Sequence, residues 1–192
     1  ANGAVLGTEQ GEALRFSNGR ELSALLAQCG EYAALYARGA VTLDSAFALP
    51  YGTEIVINGG NSLTLAPGAS LECMGNIWVN GGALTVSDGA SITFGSENAR
   101  IWANAETGSS VTGQGLDSIT VRYTKKSINS QADMDAAFGG AYSDEIVHII
   151  DVNTPVSINQ AWNVRENMLI RVNGGARLTL NALVTLSGAL QV

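Results

Sequence analysis

Two tryptophans occupy equivalent places in a repeated four-residue pattern. Trp78 is the second residue of segment 77–80 (Ile-Trp-Val-Asn), and Trp102 is the second residue of segment 101–104 (Ile-Trp-Ala-Asn). Side chains alternate between the two faces of a strand, so both indoles should point outward, about 5 Å apart on neighbouring strands. A solvent-facing aromatic pair binds the apolar face of sugar rings. The same spacing also fits packing beneath a loop, the N-terminal segment or a neighbouring chain.

The acidic residues give little support for acid–base catalysis. Hydrolysis of a polysaccharide needs two carboxylates on one surface, about 5 to 10 Å apart. Four acidic residues fall in candidate turns, namely Asp88, Glu97, Glu106 and Asp117. Asp88 stands in Ser-Asp-Gly, which is ordinary turn chemistry. None of the four belongs to a paired-aspartate motif, so the sequence predicts no catalytic carboxylate pair.

The single histidine limits the other catalytic and metal chemistries. His148 lies in the apolar run 146–150, where we interpret it as an outward-facing strand residue. One histidine supplies neither a multi-histidine metal site nor support for a catalytic triad. The glycine-rich stretch 113–115 is not followed by the Lys-Ser or Lys-Thr of a phosphate-binding loop. We therefore expect no catalytic residue, no metal and no cofactor.

The basic residues are few and have no acidic cluster beside them. Segment 122–126, which contains Arg122, Lys125 and Lys126, is interpreted as a solvated linker. The sequence pattern also places no acidic partner beside Arg100. With 17 acidic against 10 basic residues the net charge is −7, which opposes binding to nucleic acid or acidic lipid. No apolar run approaches the roughly 18 residues of a membrane span, so no membrane insertion is expected.

The composition favours many tight turns between short buried strands. The 192 residues include 23 glycines, and 14% of them are charged, whereas ordinary proteins have about 7% glycine and about 25% charged residues. The pattern of an apolar residue, a variable residue, a small apolar residue and Asn recurs at 55–58, 77–80, 101–104 and 170–173. The first three copies are spaced by 22 and then 24 residues.

Three strands fit into each period of about 22 residues. Strand centres fall near residues 56, 64, 71, 78, 85, 92, 102, 111 and 119, separated by turn signals such as Asn-Gly-Gly and Asp-Gly. Strands this short, in matching register, favour a parallel solenoid over a sandwich. The spacing of a leucine-rich repeat is absent. Equivalent outward positions should stack as ladders, and Thr64 and Thr85 join Trp78 and Trp102 as candidate ligand-binding residues.

Segment 79–93, Val-Asn-Gly-Gly-Ala-Leu-Thr-Val-Ser-Asp-Gly-Ala-Ser-Ile-Thr, resembles the repeats of right-handed parallel β-helix proteins of the pectin lyase-like type, especially those of the bacterial cell surface. The resemblance implies an all-β, right-handed solenoid with three strands per coil. It also implies an asparagine ladder at a bend between two sheets. The positions that match this ladder are Asn58, Asn80, Asn104 and Asn173.

The sequence also contains a duplication longer than the short repeats. Segment 41–65 aligns without gaps on segment 156–180, with nine identical positions among 25. Each copy follows a one-faced helix pattern, near 18–29 and near 130–138, which begins with Asn18 and Ser130 as N-cap candidates. The first helix is expected to cap the solenoid. The second either caps a separate solenoid or protrudes as an insertion, and the first alternative gives two units, 1–125 and 126–192.

Two further features concern packing and assembly. Cys29 and Cys73 allow one disulfide or two buried thiols, of which we favour the thiols, and Trp162 aligns with Phe47 as a packing residue. No cap follows the last strand pattern near residue 192. This predicts either a fragment of a longer surface protein or two chains that associate end to end through the C-terminal coil.

The residues and the resemblance together predict a non-catalytic extracellular or cell-wall-attached module of a bacterial surface protein. We expect it to act in adhesion, with a polysaccharide or a host or cell-surface protein as its partner. One alternative is a carbohydrate-active enzyme, a polysaccharide lyase or hydrolase, because one fold hosts several chemistries. The other is a structural spacer that binds nothing.

Overall fold

The chain is built from short strands. The computed structural model describes residues 14–140 and 142–192, and within these ranges it contains twenty strands, two α-helices and one 3-10 turn. The helices are α1 (Gly19–Leu26) and α2 (Gln131–Phe138), and the 3-10 turn is Asp117–Ile119. The strands are β1 (Leu14–Phe16), β2 (Ala34–Ala37), β3 (Ala40–Leu43), β4 (Ala46–Leu49), β5 (Glu54–Asn58), β6 (Ser62–Leu65), β7 (Ser70–Cys73), β8 (Ile77–Asn80), β9 (Ala83–Val86), β10 (Ser91–Phe94), β11 (Ile101–Asn104), β12 (Ser110–Thr112), β13 (Thr120–Ile128), β14 (Val147–Val152), β15 (Val156–Ile158), β16 (Trp162–Val164), β17 (Met168–Val172), β18 (Leu178–Leu180), β19 (Val184–Leu186) and β20 (Ala189–Gln191).

The chain forms two compact units that meet between Val121 and Arg122. This boundary falls within β13, whereas the sequence places it at 125/126. The N-terminal unit holds β1 to β12 with α1, and the C-terminal unit holds most of β13, together with α2 and β14 to β20.

In the N-terminal unit each strand from β2 to β9 pairs with the strand three places later. One sheet contains β2, β5, β8 and β11, the second contains β3, β6, β9 and β12, and the third contains β4, β7 and β10. All these pairs are parallel, and β1 adds a further parallel partner to β2. The predicted all-β class and parallel pairing are confirmed, and the long parallel sheets are compatible with a β-helical solenoid.

The register places like residues on like residues. Ile55 lies opposite Ile77, and Ile77 lies opposite Ile101. All three are fully buried, as are Leu63 and Leu84 in the second sheet. Because strand side chains alternate, these rows face inward while residues 56, 78 and 102 face outward. Burial of each such side chain contributes about 1.5 to 3 kcal/mol, which explains why three-to-five-residue strands persist.

Glycines occupy the bends that follow the asparagine positions. Gly81 adopts φ +82°, a left-handed conformation that side chains rarely take. The next residue, Gly82, has a different reason to be glycine, because a Cβ there would lie 2.6 Å from Ile57 Cγ2 and 2.8 Å from the carbonyl oxygens of Asn58 and Asn61. The bend is therefore packed directly against the bend of the preceding repeat.

Both predicted helices are present and begin as the sequence predicts, although the first is shorter. The N-cap side chains of Asn18 and Ser130 accept hydrogen bonds from the amides of Glu21 and Asp133. The Glu21 carboxylate in turn accepts the Ser17 amide at 2.7 Å, and this bond holds the pKa of Glu21 below its usual value. α1 ends at Leu26 rather than near residue 29, and it packs against β1 and β3 with Leu22 fully buried.

The C-terminal unit repeats the order of elements of the N-terminal unit. β14 pairs in parallel with β13 and β17, β17 with β20, β15 with β18, and β16 with β19. The order helix, then β14 to β18, matches α1 followed by β2 to β6, and strands β15 and β16 fall at the 115-residue offset of the sequence duplication. α2 packs against β15 and buries Met134 and Ala137. The internal duplication is therefore also a duplication of structure.

Two sequence interpretations are wrong. The strand expected near residue 119 is a single 3-10 turn, Asp117–Ile119, followed directly by β13. Segment 122–126 is not a solvated linker, because it lies within β13 and is paired with β14. Only Tyr123 and Ile128 are buried in β13, so the segment lacks the regular alternation that would have marked it as a strand.

The two cysteines are free thiols. Cys73 is fully buried, which raises the pKa of its thiol to about 12, whereas Cys29 is only half-buried, and its thiol donates to the Leu25 carbonyl. The expectation of two buried thiols therefore holds fully for Cys73 and partly for Cys29. Within the described ranges no helix has the length and apolar character needed to cross a membrane.

The packing at Gly82 generates a stability prediction. We expect Gly82→Ala to lower the free energy of unfolding by about 2 kcal/mol, because overpacking forces the neighbouring backbone to move. The matched control is Gly30→Ala, since a Cβ at Gly30 meets nothing within 4 Å. Urea titration followed by circular dichroism measures both. Equal stability of the two variants would contradict the packing argument.

Candidate functional site

The Trp78–Trp102 pair lies on the outward face of the first sheet of the N-terminal unit. The two residues are register partners on β8 and β11. Their ring centroids are 5.2 Å apart with planes inclined by 16°, so the indoles stack on one another. Both are half-buried, so part of each ring reaches solvent. The two rings form a single block of apolar surface, in which each covers part of the other.

A polar network fixes the orientation of this pair. The Trp102 indole N–H donates to Asn76 Oδ1 at 3.1 Å, and the Arg100 amide donates to the same oxygen at 3.1 Å. Asn76 Nδ2 then donates to Glu54 Oε1 at 3.1 Å. Glu54, Asn76 and Arg100 each precede the first inward isoleucine of their strand, so they form a polar row beside the tryptophans. The indole is thereby held in one orientation by a neighbouring repeat.

Thr64 and Thr85 do not share a surface with the tryptophans. They are register partners on β6 and β9, in the second sheet of the N-terminal unit. Thr42 and Thr112 extend the same row on β3 and β12, so four threonines lie in one outward column. The structure therefore separates the predicted ligand-binding residues into an aromatic pair on one sheet and a threonine column on another.

Asparagine ladders occur in both units. In the N-terminal unit Asn80 Nδ2 donates to Asn58 Oδ1 at 3.3 Å, and Asn104 Oδ1 accepts the Glu106 amide at 2.9 Å. In the C-terminal unit Asn173 Nδ2 donates to Asn153 Oδ1 at 2.6 Å. Asn153 in turn donates to Asn129 at 3.0 Å, and a further pair joins Asn181 to Asn159 at 2.8 Å. Each Asn–Asn bond links equivalent positions at the ends of paired strands, whereas the bond between Asn104 and Glu106 lies within one turn.

Asn129 and Asn153 belong to the ladder but were not predicted, although the signal for Asn153 is present in the sequence. Segment 150–153, Ile-Asp-Val-Asn, repeats the four-residue pattern of 170–173. The variable position of this copy holds Asp151, and that of 170–173 holds Arg171, so a charged residue there is compatible with the pattern. Asn129 follows Lys-Ser-Ile, a weaker match that only the register of β13 on β14 reveals.

His148 is buried rather than outward-facing in solvent. It is 5% exposed, and Tyr142 packs edge-on against its ring at a centroid distance of 4.9 Å. Its Nε2 lies 2.9 Å from the Ser143 carbonyl oxygen and its Nδ1 lies 2.7 Å from Thr124 Oγ1. Because a carbonyl oxygen only accepts, Nε2 carries a proton, and in the neutral ring Nδ1 accepts from the Thr124 hydroxyl. Both ring nitrogens are therefore satisfied within the fold.

His148 belongs to a set of side chains that hold the loop 142–146. Asn167 Nδ2 donates at 2.7 Å to the carbonyl oxygens of Ser143 and Ile146. Arg165 donates to the Tyr142 carbonyl at 3.1 Å and to Asp144 Oδ1 at 3.0 Å. The loop is thus held by side chains of the turn that precedes β17.

A shallow polar groove lies beside this loop, with a volume of about 360 Å³. Two carboxylates, Asp144 and Glu166, line it together with Arg165, and the remaining lining residues are Asn163, Asn167 and Ser187. None of these was singled out from the sequence, because Asp144 and Glu166 are 22 positions apart in turns without a motif. Only the stacking of successive turns brings them together.

Asp151 is the most buried carboxylate of the described residues, at 3% exposure. It accepts Arg171 Nε and Nη2 at 2.6 and 2.9 Å and Lys125 Nζ at 2.7 Å. Burial alone raises the pKa of the Asp151 carboxyl, but the hydrogen bonds from Arg171 and Lys125 outweigh it and hold that pKa below its usual value. The three side chains lie on adjacent strands, so this cluster ties β13, β14 and β17 together.

The acidic residues considered for catalysis do not assemble into a cluster. Asp88, Glu97, Glu106 and Asp117 are all exposed, and none of them takes part in an ion pair in the described parts of the chain. No group of three or more His, Cys, Asp or Glu side chains that could hold a metal ion occurs among the described residues. Trp162 is 8% exposed and packs edge-on against Phe138, which agrees with a packing role.

One exposed aromatic pair had no signal in the sequence. Tyr32 and Tyr51 are 73% and 51% exposed, and their rings meet edge to face with centroids 5.7 Å apart. Tyr32 has φ +66°, an uncommon conformation for a residue other than glycine, and its ring lies over Gly52. Positive φ at an exposed aromatic residue depends on the local packing and cannot be inferred from residue types.

Comparison with known proteins gives no match for this chain. No family model matches the sequence, no curated protein matches it, and no solved structure matches the fold. The assignment of a function therefore depends on the geometry described above.

The hydrogen bonds that hold the loop 142–146, which we call the loop tether, generate the second prediction. We expect His148→Ala to lower the free energy of unfolding by about 2 kcal/mol, because it leaves buried hydrogen-bonding groups without partners. Amide hydrogen exchange at 142–146 should also become faster than in the wild type. The matched variant Thr124→Val removes only the hydroxyl at Nδ1, so its loss should be about 1 kcal/mol, with exchange in the loop unchanged. Unchanged exchange in His148→Ala would refute the tether.

The Asp151 cluster generates the third prediction. Because the folded-state pKa is depressed, the carboxylate stabilises the fold fully above its unfolded-state pKa of about 3.9, and this contribution is lost as the pH falls through the folded-state pKa. We expect Asp151→Asn to cost about 2 kcal/mol at pH 7, since it leaves two cations without their counterion, and the difference from wild type should shrink in acid.

Urea titrations of wild type and Asp151→Asn across this pH range make the measurement. Asp144→Asn serves as the control, because its ion pair with Arg165 is at the surface, where Asp144 is 84% exposed, and it should have no measurable effect. A loss in Asp151→Asn that does not vary with pH would show that the ionised carboxylate is not the source of the stability.

Proposed function

We propose that the chain is a right-handed parallel β-helix of the pectin lyase-like type with three strands per coil. We further propose that it serves as a non-catalytic module of a bacterial surface protein, extracellular or attached to the cell wall. Its role is adhesion through a polysaccharide or a host or cell-surface protein. The parallel pairing of every third strand in the N-terminal unit, and the repeat pattern of segment 79–93, support the fold part of this proposal.

The Trp78–Trp102 block carries the functional part. Two stacked indoles that remain partly exposed form an apolar surface on an outward row that they share with Val56 and Tyr36. Indole N–H groups and ring edges are common at binding surfaces, because one part of the side chain packs while another contacts a ligand. The polar row of Glu54, Asn76 and Arg100 beside the block supplies hydrogen-bonding groups suited to sugar hydroxyls. Asn76 also fixes Trp102 before any ligand arrives, which lowers the entropic cost of binding.

Among residues 14–121, the described part of the N-terminal unit, no group of three or more His, Cys, Asp or Glu side chains is assembled, which favours binding over chemistry. Glu54, the carboxylate of the polar row beside the tryptophans, accepts a hydrogen bond from Asn76 at 3.1 Å. Hydrolysis needs one carboxylic acid and one carboxylate that act together on one bond. A module with one aromatic block and hydrogen-bonding neighbours is suited to holding a ligand.

A carbohydrate-active enzyme is the second candidate, and one observation favours it. Asp144 and Glu166 line the same groove with Arg165 in the C-terminal unit. Two carboxylates and a cation in one polar groove are the residue types that glycosidic bond cleavage uses. Asp144 pairs with Arg165 at the surface at 3.0 Å, whereas Glu166 has no ion pair among the described residues, so Glu166 is the carboxylate to test.

The fourth prediction tests these functions together. We would titrate the protein with pectic, mucin and bacterial cell-wall polysaccharides while following tryptophan fluorescence, and assay the same samples for reducing ends and unsaturated products. We expect saturable fluorescence changes without products. The double variant Trp78→Ala with Trp102→Ala lacks both reporting indoles, so its binding and that of wild type are compared by isothermal titration calorimetry. Its affinity should fall at least about tenfold, a loss of about 1.4 kcal/mol.

Two controls separate the candidates. The double variant Tyr32→Ala with Tyr51→Ala removes exposed aromatic surface elsewhere in the same unit, and it should bind like wild type. Buried Trp162 remains in every variant and reports whether the C-terminal unit is folded. Products that disappear in Glu166→Gln would establish the enzyme in place of the adhesin. No fluorescence change and no product with any polysaccharide would remove the glycan from the proposal and leave a protein-binding module or a spacer.

A further inference from the structure

In the C-terminal unit one glutamine side chain joins the start of α2 to the edge of a strand. Gln131 Oε1 accepts the Ser157 amide at 2.8 Å, and Gln131 Nε2 donates to the Ser157 carbonyl at 2.9 Å. Nε2 also donates to Asp135 Oδ1 at 2.9 Å. The carboxamide thus uses both of its N–H groups and its oxygen. Since Ser157 lies in β15, which pairs with β18 on one side, the glutamine completes the other edge.

The duplication provides a counterpart for each of these residues in the N-terminal unit. The two helices align on their N-caps, and the strands align at the offset of 115 residues. The counterparts of Gln131, Asp135 and Ser157 are Gly19, Ser23 and Thr42, in that order. The partner groups are retained, because a serine hydroxyl accepts a hydrogen bond and the Thr42 backbone has the same amide and carbonyl. The carboxamide itself has no counterpart, since Gly19 has no side chain.

A pocket of about 460 Å³ lies between these counterparts in the N-terminal unit. Gly19, Ser23 and Thr42 all line it. In the described chain β3 is the last strand of its sheet, with β6 on its other side. The Leu43 carbonyl accepts the Ala66 amide on the β6 side, so the preceding residue, Thr42, directs its amide and carbonyl to the opposite edge. The pocket therefore borders the same two backbone groups that Gln131 binds in the C-terminal unit.

Phe47 prevents the helix from filling this pocket with a side chain of its own. A Cβ at Gly19 would lie 2.9 Å from Phe47 Cζ. Phe47 is a buried residue of β4 and pairs in register with Leu71, so its ring is held by the core. A glutamine at position 19 would have to displace that ring. A carboxamide reaches the Thr42 edge more readily when a separate molecule carries it.

The pocket also contains one cationic and one anionic side chain. Arg20 and Asp44 both line it, and neither takes part in an ion pair among the described residues. A guanidinium binds a carboxylate through two parallel hydrogen bonds, and a carboxylate accepts strong hydrogen bonds from an ammonium group. A free α-amino acid has both of the complementary charges. The volume of the pocket is within the usual range for small-molecule sites.

We propose that this pocket binds a ligand with a primary carboxamide, the group that Gln131 supplies in the C-terminal unit. The carboxamide donates to the Thr42 carbonyl and to the Ser23 hydroxyl, and it accepts from the Thr42 amide. Free glutamine adds a carboxylate for Arg20 and an ammonium group for Asp44. A glutamine residue within a peptide offers the same carboxamide without these charges.

Isothermal titration calorimetry of the whole chain with L-glutamine is the fifth test. We expect saturable binding of one glutamine per chain. L-Glutamate has nearly the same shape but cannot donate to the Thr42 carbonyl, so it should bind at least about tenfold more weakly. N-acetyl-glutamine methylamide distinguishes the two sources of the carboxamide. Weaker binding of this blocked compound assigns the site to the free amino acid, and equal binding assigns it to a glutamine residue of a peptide.

Two variants at one position test the backbone contact. Thr42→Pro removes the amide that faces the pocket, at an edge where proline is tolerated, and should weaken glutamine binding at least about tenfold. The matched control Thr42→Val keeps the amide and the carbonyl and should bind like wild type. Far-ultraviolet circular dichroism checks that both variants are folded.

The C-terminal unit supplies an independent measurement. Gln131→Ala opens the edge at Ser157, so the melting temperature should fall, and added propionamide should restore part of the loss, whereas propionate should not. Absence of saturable glutamine binding would overturn the proposal, as would equal binding of glutamate and glutamine or equal binding by Thr42→Pro and wild type. Because glycan binding is tested on Trp78 and Trp102, failure of either proposal leaves the other standing.

Discussion

In-register parallel pairing is the constraint on which the rest of this structure depends. When β5 pairs with β8 and β8 with β11, the residues of one row must be compatible with direct contact along the whole row. Isoleucine therefore stacks on isoleucine inside, and tryptophan stacks on tryptophan outside. The same constraint sets the bends, where Gly82 must leave room for the preceding turn. Strands of three to five residues would be unstable alone and persist because every row is continued.

In-register pairing also constrains the polar side chains, which need hydrogen-bond partners as well as space. A polar side chain in a row that has little access to water needs its partner on the adjacent strand. The asparagine ladders satisfy it with like residues, since an amide both donates and accepts. Asp151 cannot pair with another carboxylate, so its neighbours in the stack are Lys125 and Arg171. The register thus explains both the uniform ladders and the mixed-charge cluster around Asp151.

Stacking also decides what the surface can bind. It brings Trp78 onto Trp102, holds Trp102 through Asn76, and places the threonine column on another sheet. A protein built this way offers outward rows along a sheet as binding surfaces, which suit extended ligands.

The sequence by itself determined the parts of this protein that are local or periodic. It predicted the inward isoleucine row, both helix N-caps, the outward tryptophan pair and the duplication, because alternation, capping and repetition are written in neighbouring residues. The tertiary structure alone decided the loop tether at His148, the Asp151 cluster, the groove that joins Asp144 to Glu166, and the strand at 122–126. Each of these depends on which residues come opposite one another after some 20 intervening positions. Spacings between repeats vary with the length of each turn, so the register, and with it every contact between non-identical residues, is fixed only when the strands pack.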